Sequence, residues 1–290
     1  MTKTRIYAAL ILGIFTAAVA SEGAGAKSHK KAPPTTGTEG LLYAAGACDL
    51  PTLKTIIASG VDVSATDADG YDALSRASIN RDDGLRSRTR WKLNCPAAVI
   101  ALTQAGANPW KARFYQNPRL EENRPEMIAV IRVEDNRENK GKSEKLVDSL
   151  KDGVEFQLQK TGEYHLGYPI VGVSEVRQKL LAADFSAEDA MAPDRVKACK
   201  ALGVDSVFEA SLENYRSRSA GIVSAAGMRM KFILSDCKTG ELLWQSDQDY
   251  TLAEGWIIST FGGNKVRQII IGSLDGNPAL GFPKYKEGKK

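Results

Sequence analysis

Apolar residues keep to helical spacing from Leu41 to Gly106 and mix helical with strand spacing beyond Pro125, and this division limits the folds open to the chain. Up to Gly106 the apolar positions recur at helical intervals. Leu41, Leu42, Ala44 and Ala45 suit a short helix. Leu50, Leu53, Ile56 and Ile57 line one face of a second, and Gly60 stands where that helix must stop and turn. Asp67-Ala68-Asp69-Gly70-Tyr71 is turn chemistry, and residues 72–77 open a third helix. After a polar insertion around 80–94, Pro96, Val99, Ile100 and Leu102 predict a fourth helix that ends at Gly106.

Beyond Pro125 the pattern is that of a sheet with helices over it. Residues 127–133, MIAVIRV, form a β-branched run bounded by Pro125 and Glu134-Asp135 and read as a buried strand. Ser143 caps a helix to about residue 160, with Leu146, Leu150, Val154 and Leu158 on one face. Residues 163–166 read as a strand, 174–182 and 193–202 as helices, and 204–212 as a strand after Gly203. Met228, Met230, Phe232 and Leu234 alternate with Arg229 and Lys231, which predicts a half-buried strand. A turn at 236–240, a return strand at 241–250 and a helix at 256–274 complete the order.

The string Asp67-x-x-Gly70-x-x-x-Leu74-x-x-Ala77 resembles the start of an ankyrin repeat, and Gly60-Val61-Asp62-Val63 and Gly106-Ala107-Asn108-Pro109 resemble the turn that ends one. The second copy departs from the family. Asp72-Ala73 stands where Thr-Pro is usual, and the two glycines are separated by an insertion beyond the usual repeat of about 33 residues. The resemblance covers residues 39–112 and implies a surface that binds protein through its concave face and finger turns. Here those turns carry Asp62, Asp67, Asp69 and Tyr71 in one and Asn108 and Trp110 in the other. A polar connector, 113–125, follows.

Residues 126–282 resemble a group of cell-envelope proteins: the periplasmic part of the curli secretion protein CsgG, the N-terminal domain of TolB, and Gram-negative lipoproteins of unknown function. The matching stretches are IAVIRVED, ALGVDSVFEASL and LSDCKTGELLWQS. In the last, Asp236, Thr239, Gly240 and Glu241 form a turn feeding a strand that bears Trp244. The expected fold class is therefore α+β: α-helical ankyrin-like repeats, then a mixed α/β sheet domain of two or three layers with a C-terminal β-hairpin and helix. The curli channel sends long hairpins through the outer membrane. The corresponding segment here, 214–227, is too short for two spanning strands of about 9–11 residues each, and its Gly, Ser and Ala content reads as an exposed loop.

The N-terminus sets the compartment. Lys3 and Arg5 precede an apolar run at 6–19, and Ala18-Val19-Ala20 and Ala24-Gly25-Ala26 are A-x-A sites. This is the pattern of a cleaved secretory signal peptide, 1–20 or 1–26, followed by a linker at 27–38. The first cysteine is Cys48, distant from either site, which reads against a lipid anchor. No later run is apolar and long enough for a membrane span, so the mature chain is expected in the periplasm or outside the cell. Four cysteines in an exported chain suggest disulfides, and three pairings are possible. The domain division favours Cys48 with Cys95 and Cys199 with Cys237, each inside one domain. Cys48 and Cys95 also stand at nearly equivalent places in the two repeats.

No catalytic machinery is legible. The two histidines, His29 and His165, are far apart, and no nucleophile elbow, phosphate loop or zinc-protease motif occurs. Asp184, Glu188 and Asp189 surround a helix start with Ser186 as its cap. Net charge is +4 with both signs interspersed, and Lys284, Lys286, Lys289 and Lys290 form a small basic tail at 283–290. Nucleic acid is not an expected partner, and neither a metal nor a cofactor is expected. The leading expectation is an exported, non-catalytic protein-binding or scaffold protein of the bacterial cell envelope, able to form a homo-oligomer. The alternatives are an oligomeric subunit of a secretion apparatus and a hydrolase using carboxylates alone.

Overall fold

A computed structural model describes residues 33–79, 95–120, 124–138, 144–159, 167–191, 193–220 and 223–255. The expected signal peptide, most of the expected linker, the 80–94 insertion, the strand expected at 163–166, the helix expected at 256–274 and the tail at 283–290 lie outside the described residues. The described residues from Pro34 onward form one compact unit. The fold is α+β, with helices first and a mixed sheet after them. Among the described residues no helix is long and apolar enough to cross a membrane.

The helical unit comprises α1 (Gly37–Gly46), α2 (Leu50–Ala58), α3 (Ala73–Ile79) and α4 (Pro96–Gln104). Asp49 caps α2 by accepting from the Thr52 amide. Gly60 and Gly106 follow the ends of α2 and α4 with φ of +82° and +97°, which an L side chain rarely adopts. Leu41, Leu53, Leu74, Val99 and Leu102 form the unit's core, and Cys48 and Cys95 are joined across it with Cα atoms 5.6 Å apart.

The sheet has six strands: β1 (Phe114–Gln116), β2 (Ile128–Asp135), β3 (Ile170–Val171), β4 (Ser206–Ala220), β5 (Val223–Asp236) and β6 (Leu242–Gly255). Their spatial order is β1-β6-β5-β4-β2-β3. β2 pairs in parallel with β3 and β4, and the other neighbours are antiparallel. On one face Ile128, Val130, Phe208, Met230, Phe232, Leu234 and Trp244 meet Leu150, Val154 and Leu158 of α5 (Glu144–Gln159). On the other, Ala129, Ile131 and Val207 lie under α6 (Val173–Ala182), α7 (Ala187–Met191) and α8 (Arg195–Leu202). Ser186 caps α7 through the Asp189 amide, as its sequence predicts.

Two expectations are corrected. Residues 214–227 are not a loop: β4 and β5 run through most of this stretch as a paired hairpin, Asn214 opposite Arg229 and Ala220 opposite Val223. Pairing of β5 with β6 on its other side continues to Val223 and Gly255, so backbone hydrogen bonds hold small residues extended where side chains give no signal. The connector at 113–125 opens with an edge strand, since β1 pairs with β6 at Phe114 opposite Ser246.

That edge strand is where the helical unit docks. The Phe114 amide donates to Ser75 Oγ on α3 at 3.2 Å. Ile79 and Tyr71 enter the core of the sheet, while Tyr115 and Leu242 enter the core of the helical unit. The helices thus cover a sheet edge that would otherwise present unpaired backbone groups.

Candidate functional site

On the face covered by α6 and α8 the sheet changes from apolar to charged partway along its strands. Two bulges mark the change. The register of β2 against β4 slips between Val130 and Arg132, and that of β4 against β5 slips between Leu212 and Asn214. A bulge places an extra residue on one strand and re-aims the side chains after it. Ile131 therefore stays under the helices while Arg132 and Glu134 point along the same face into an open groove of about 540 Å³. β4 adds Glu209, Ser211, Glu213 and Asn214. β5 adds Arg229, Lys231 and Ile233, β6 adds Asp247, and Arg195 enters from α8.

The charges are arranged in pairs. Glu209 is buried, with its side chain 7% exposed, and it faces both Arg195 and Arg132, the latter at 3.5 Å. Arg132 also meets Glu134 at 3.3 Å and donates to the Pro193 carbonyl at 3.1 Å. Arg229 binds Asp247 through two hydrogen bonds of 2.8 and 3.0 Å, and this contact holds its guanidinium above the usual arginine range, against the opposing effect of burial. Glu213 accepts from Asn136 Nδ2 at 3.1 Å and from Ser211 Oγ at 2.5 Å. Lys231 lies between Ser211 and Asp247 in the sheet register, yet it makes no ion pair among the described residues. Among those residues no group of three or more His, Cys, Asp or Glu is placed to hold a metal ion.

Both walls of the groove are anchored. Asp194 caps α8 by accepting from the Lys197 amide at 3.0 Å, and Cys199 ties α8 to Cys237 in the β5–β6 turn, with Cα atoms 5.3 Å apart. On the other side Arg113 bonds twice to the backbone of β6: its side-chain Nε donates to the Asp247 carbonyl at 3.1 Å, and its own carbonyl accepts from the Asp247 amide at 2.7 Å.

The six residues expected on a protein-binding surface are placed differently from one another. Asp67 is a turn acceptor, taking the Asp69 and Tyr71 amides at 2.9 Å each and pairing with Arg76. The guanidinium carbons of Arg76 and Arg113 lie over the Tyr71 ring, at 5.2 and 5.0 Å from its centroid. The Asp69 carbonyl accepts from Arg113 at 2.6 Å. Trp110 lies under Arg195 of α8, at 4.7 Å. Asp67, Tyr71 and Trp110 are thus half-buried and each makes contacts within the molecule. Asp62 and Asn108 remain exposed, each bonded to a nearby backbone amide, of Ser64 and Trp110 respectively. In the hairpin motif Asp236 Oδ1 accepts from the Lys238 and Thr239 amides and the Thr239 hydroxyl, and the Glu241 amide donates to Thr239 Oγ1. Gly240 has φ of +70°, and Trp244 is fully buried against Phe114 and Phe232. The groove itself escaped the sequence, apart from the alternation of Arg229 and Lys231.

No family model matches this chain, and no curated protein matches it. Solved structures with a similar arrangement include lipoprotein GNA1162 from Neisseria meningitidis, 18% identical over 49% of this chain and 96% of that one, with a TM-score of 0.30. The C-terminal domain of LpoB from Salmonella enterica is 14% identical over 43% of this chain and 81% of its own, with a TM-score of 0.30. A PelC dodecamer from Paraburkholderia phytofirmans is 15% identical over 55% of this chain and 90% of its own, with a TM-score of 0.31. At TM-scores this low none of the three decides this chain's fold or function.

Proposed function

We propose that this is an exported, non-catalytic binding or scaffold protein of the bacterial cell envelope, and that it meets its protein partner at the polar groove. The observation that carries the reading is the groove's charge pattern. Glu134, Glu209 and Asp247 each face a guanidinium, and Glu213 is held by an amide and a hydroxyl. Carboxylates engaged in this way suit fixed electrostatic recognition better than proton transfer, while Lys231 is left to meet something from outside. Two disulfides suit an oxidising compartment. Tyr71 and Trp110 each hold an arginine of the fold, and we therefore favour the groove over the finger turns as the binding surface.

The test is crosslinking in the native cell. A photoreactive residue replacing Asn214, in the groove, is expected to give a discrete adduct in the extracytoplasmic fraction. The same residue replacing Tyr43, exposed on α1, is expected to give none. Adducts from position 43 alone, or a mature chain found in the cytoplasm with free thiols, would overturn the reading.

A further inference from the structure

We propose that the groove binds an extended peptide segment of mixed charge, with an acidic side chain on Lys231 and a basic one towards Glu134 and Glu213. This rests on the groove being the partner surface and specifies what that partner presents.

Charge excludes one class of ligand. Arg132, Arg195, Arg229 and Lys231 are matched in number by Glu134, Glu209, Glu213 and Asp247, so the lining has no net charge with which to hold a polyanion. Shape and polarity disfavour another. Small-molecule sites are enclosed and mostly apolar, whereas this groove is open, and Ile233 and Ala210 are its apolar lining residues.

The internal pairing leaves two poles. Asp247 stands opposite Lys231 in the register, but both its oxygens are taken by Arg229, so the Lys231 charge is uncommitted. On the other side Arg132 and Arg195 balance Glu134 and Glu209, two cations for two carboxylates, which leaves Glu213 over. Glu213 receives neutral donors, Asn136 and Ser211. That side carries surplus negative charge. Lys231 pairs with Ser211, and Ser211 with Glu134, so the two poles share a row two strands apart. Two strand spacings are roughly 10 Å. An extended chain rises about 3.3 Å per residue, so acidic and basic side chains two to four residues apart on one strand face reach both poles.

The experiment uses the mature chain with both disulfides intact. The probe is a capped heptapeptide carrying glutamate and lysine in alternation at every second position, with alanines between. Peptides with glutamine, glutamate alone or lysine alone at those positions serve as comparisons. The mixed peptide is expected to bind about tenfold or more tightly than the glutamine peptide. Its affinity should fall as salt rises from about 50 to about 500 mM. Lys231→Gln should remove most of this preference, and Lys231→Glu should turn it towards the lysine peptide, with melting behaviour unchanged for both. Equal binding of the glutamine peptide, or an unaltered preference in Lys231→Glu, overturns the proposal. Failure of the wild-type chain to bind any charged peptide also overturns it. Crosslinking from position 214 reports on the groove independently, so an adduct that persists unchanged in Lys231→Glu sinks the charge assignment and spares the groove.

Discussion

Asp67 and Asp72 flank one turn and respond to pH in opposite directions. Partial burial works against ionisation of Asp67, but the Tyr71 amide, the Arg76 guanidinium and the Asp69 amide outweigh it and hold its carboxyl below the usual value. A lowered carboxyl contributes stability that is complete above its unfolded value and is lost as pH falls through the folded one. Burial pushes the Asp72 carboxyl up, although it accepts from the Ser75 amide at 2.7 Å. Its ionised form is the costly one, so its contribution falls as pH rises from the unfolded value through the folded one. Asp67→Asn should cost about 1–2 kcal/mol at neutral pH, from the weakened turn and the lost Arg76 pair, and should flatten the rise of stability between about pH 3 and pH 7. Asp72→Asn keeps a capping oxygen and should steepen that rise. Urea midpoints at both pH values check the pair, and parallel profiles for the two variants would contradict it.

At the scale of elements, Glu209 joins three of them. It sits on β4 and faces Arg132 on β2 and Arg195 on α8. The carboxylate is buried while both arginines are partly exposed, so breaking the cluster costs less than for a fully buried pair and more than for a surface one. Glu209→Gln should therefore lose about 2 kcal/mol, read by urea denaturation. Glu209→Leu should lose more, because two guanidiniums then face an apolar group. The sequence shows why such a cluster escapes reading. Helix periods and the Asp236-to-Trp244 hairpin are local signals, and they locate α1, α2, α5, α8 and the β5–β6 turn. The groove assembles charges from four strands whose order is set by pairing over long separations, and two bulges that leave no mark in composition set their direction. β1 is similar: three residues become a strand because Phe114 finds Ser246. The extended ends of β4 and β5 are rich in Ser, Ala and Gly, which have weak β-preference, so their pairing is fixed by the neighbouring strand rather than by their own side chains.

Across the whole molecule, the helical unit and the sheet complete each other. Four short helices bury little apolar surface by themselves. Here the sheet edge adds to their core. Ile79 packs among the sheet's aromatic residues, and Tyr115 sits in the helical core, where burial pushes its hydroxyl up to about 12. The Cys48–Cys95 bond closes a separation of 47 residues, which on the chain-entropy model contributes about 4 kcal/mol. If the shared core is what stabilises the helices, the disulfide alone cannot. The chain from residue 34 onward should then unfold in one transition followed equally by far-ultraviolet dichroism and, in a variant whose other three tryptophans are replaced by phenylalanine, by Trp244 fluorescence. Cys48→Ser with Cys95→Ser should move that transition by about 4 kcal/mol without splitting it. A fragment of residues 34–112 with its disulfide formed should show no cooperative transition, because Tyr71 and Ile79 would lose their partners. A fragment that melts cooperatively, or two separate transitions in the whole chain, would show that the helical unit stands alone and that its docking on β1 is incidental to the fold.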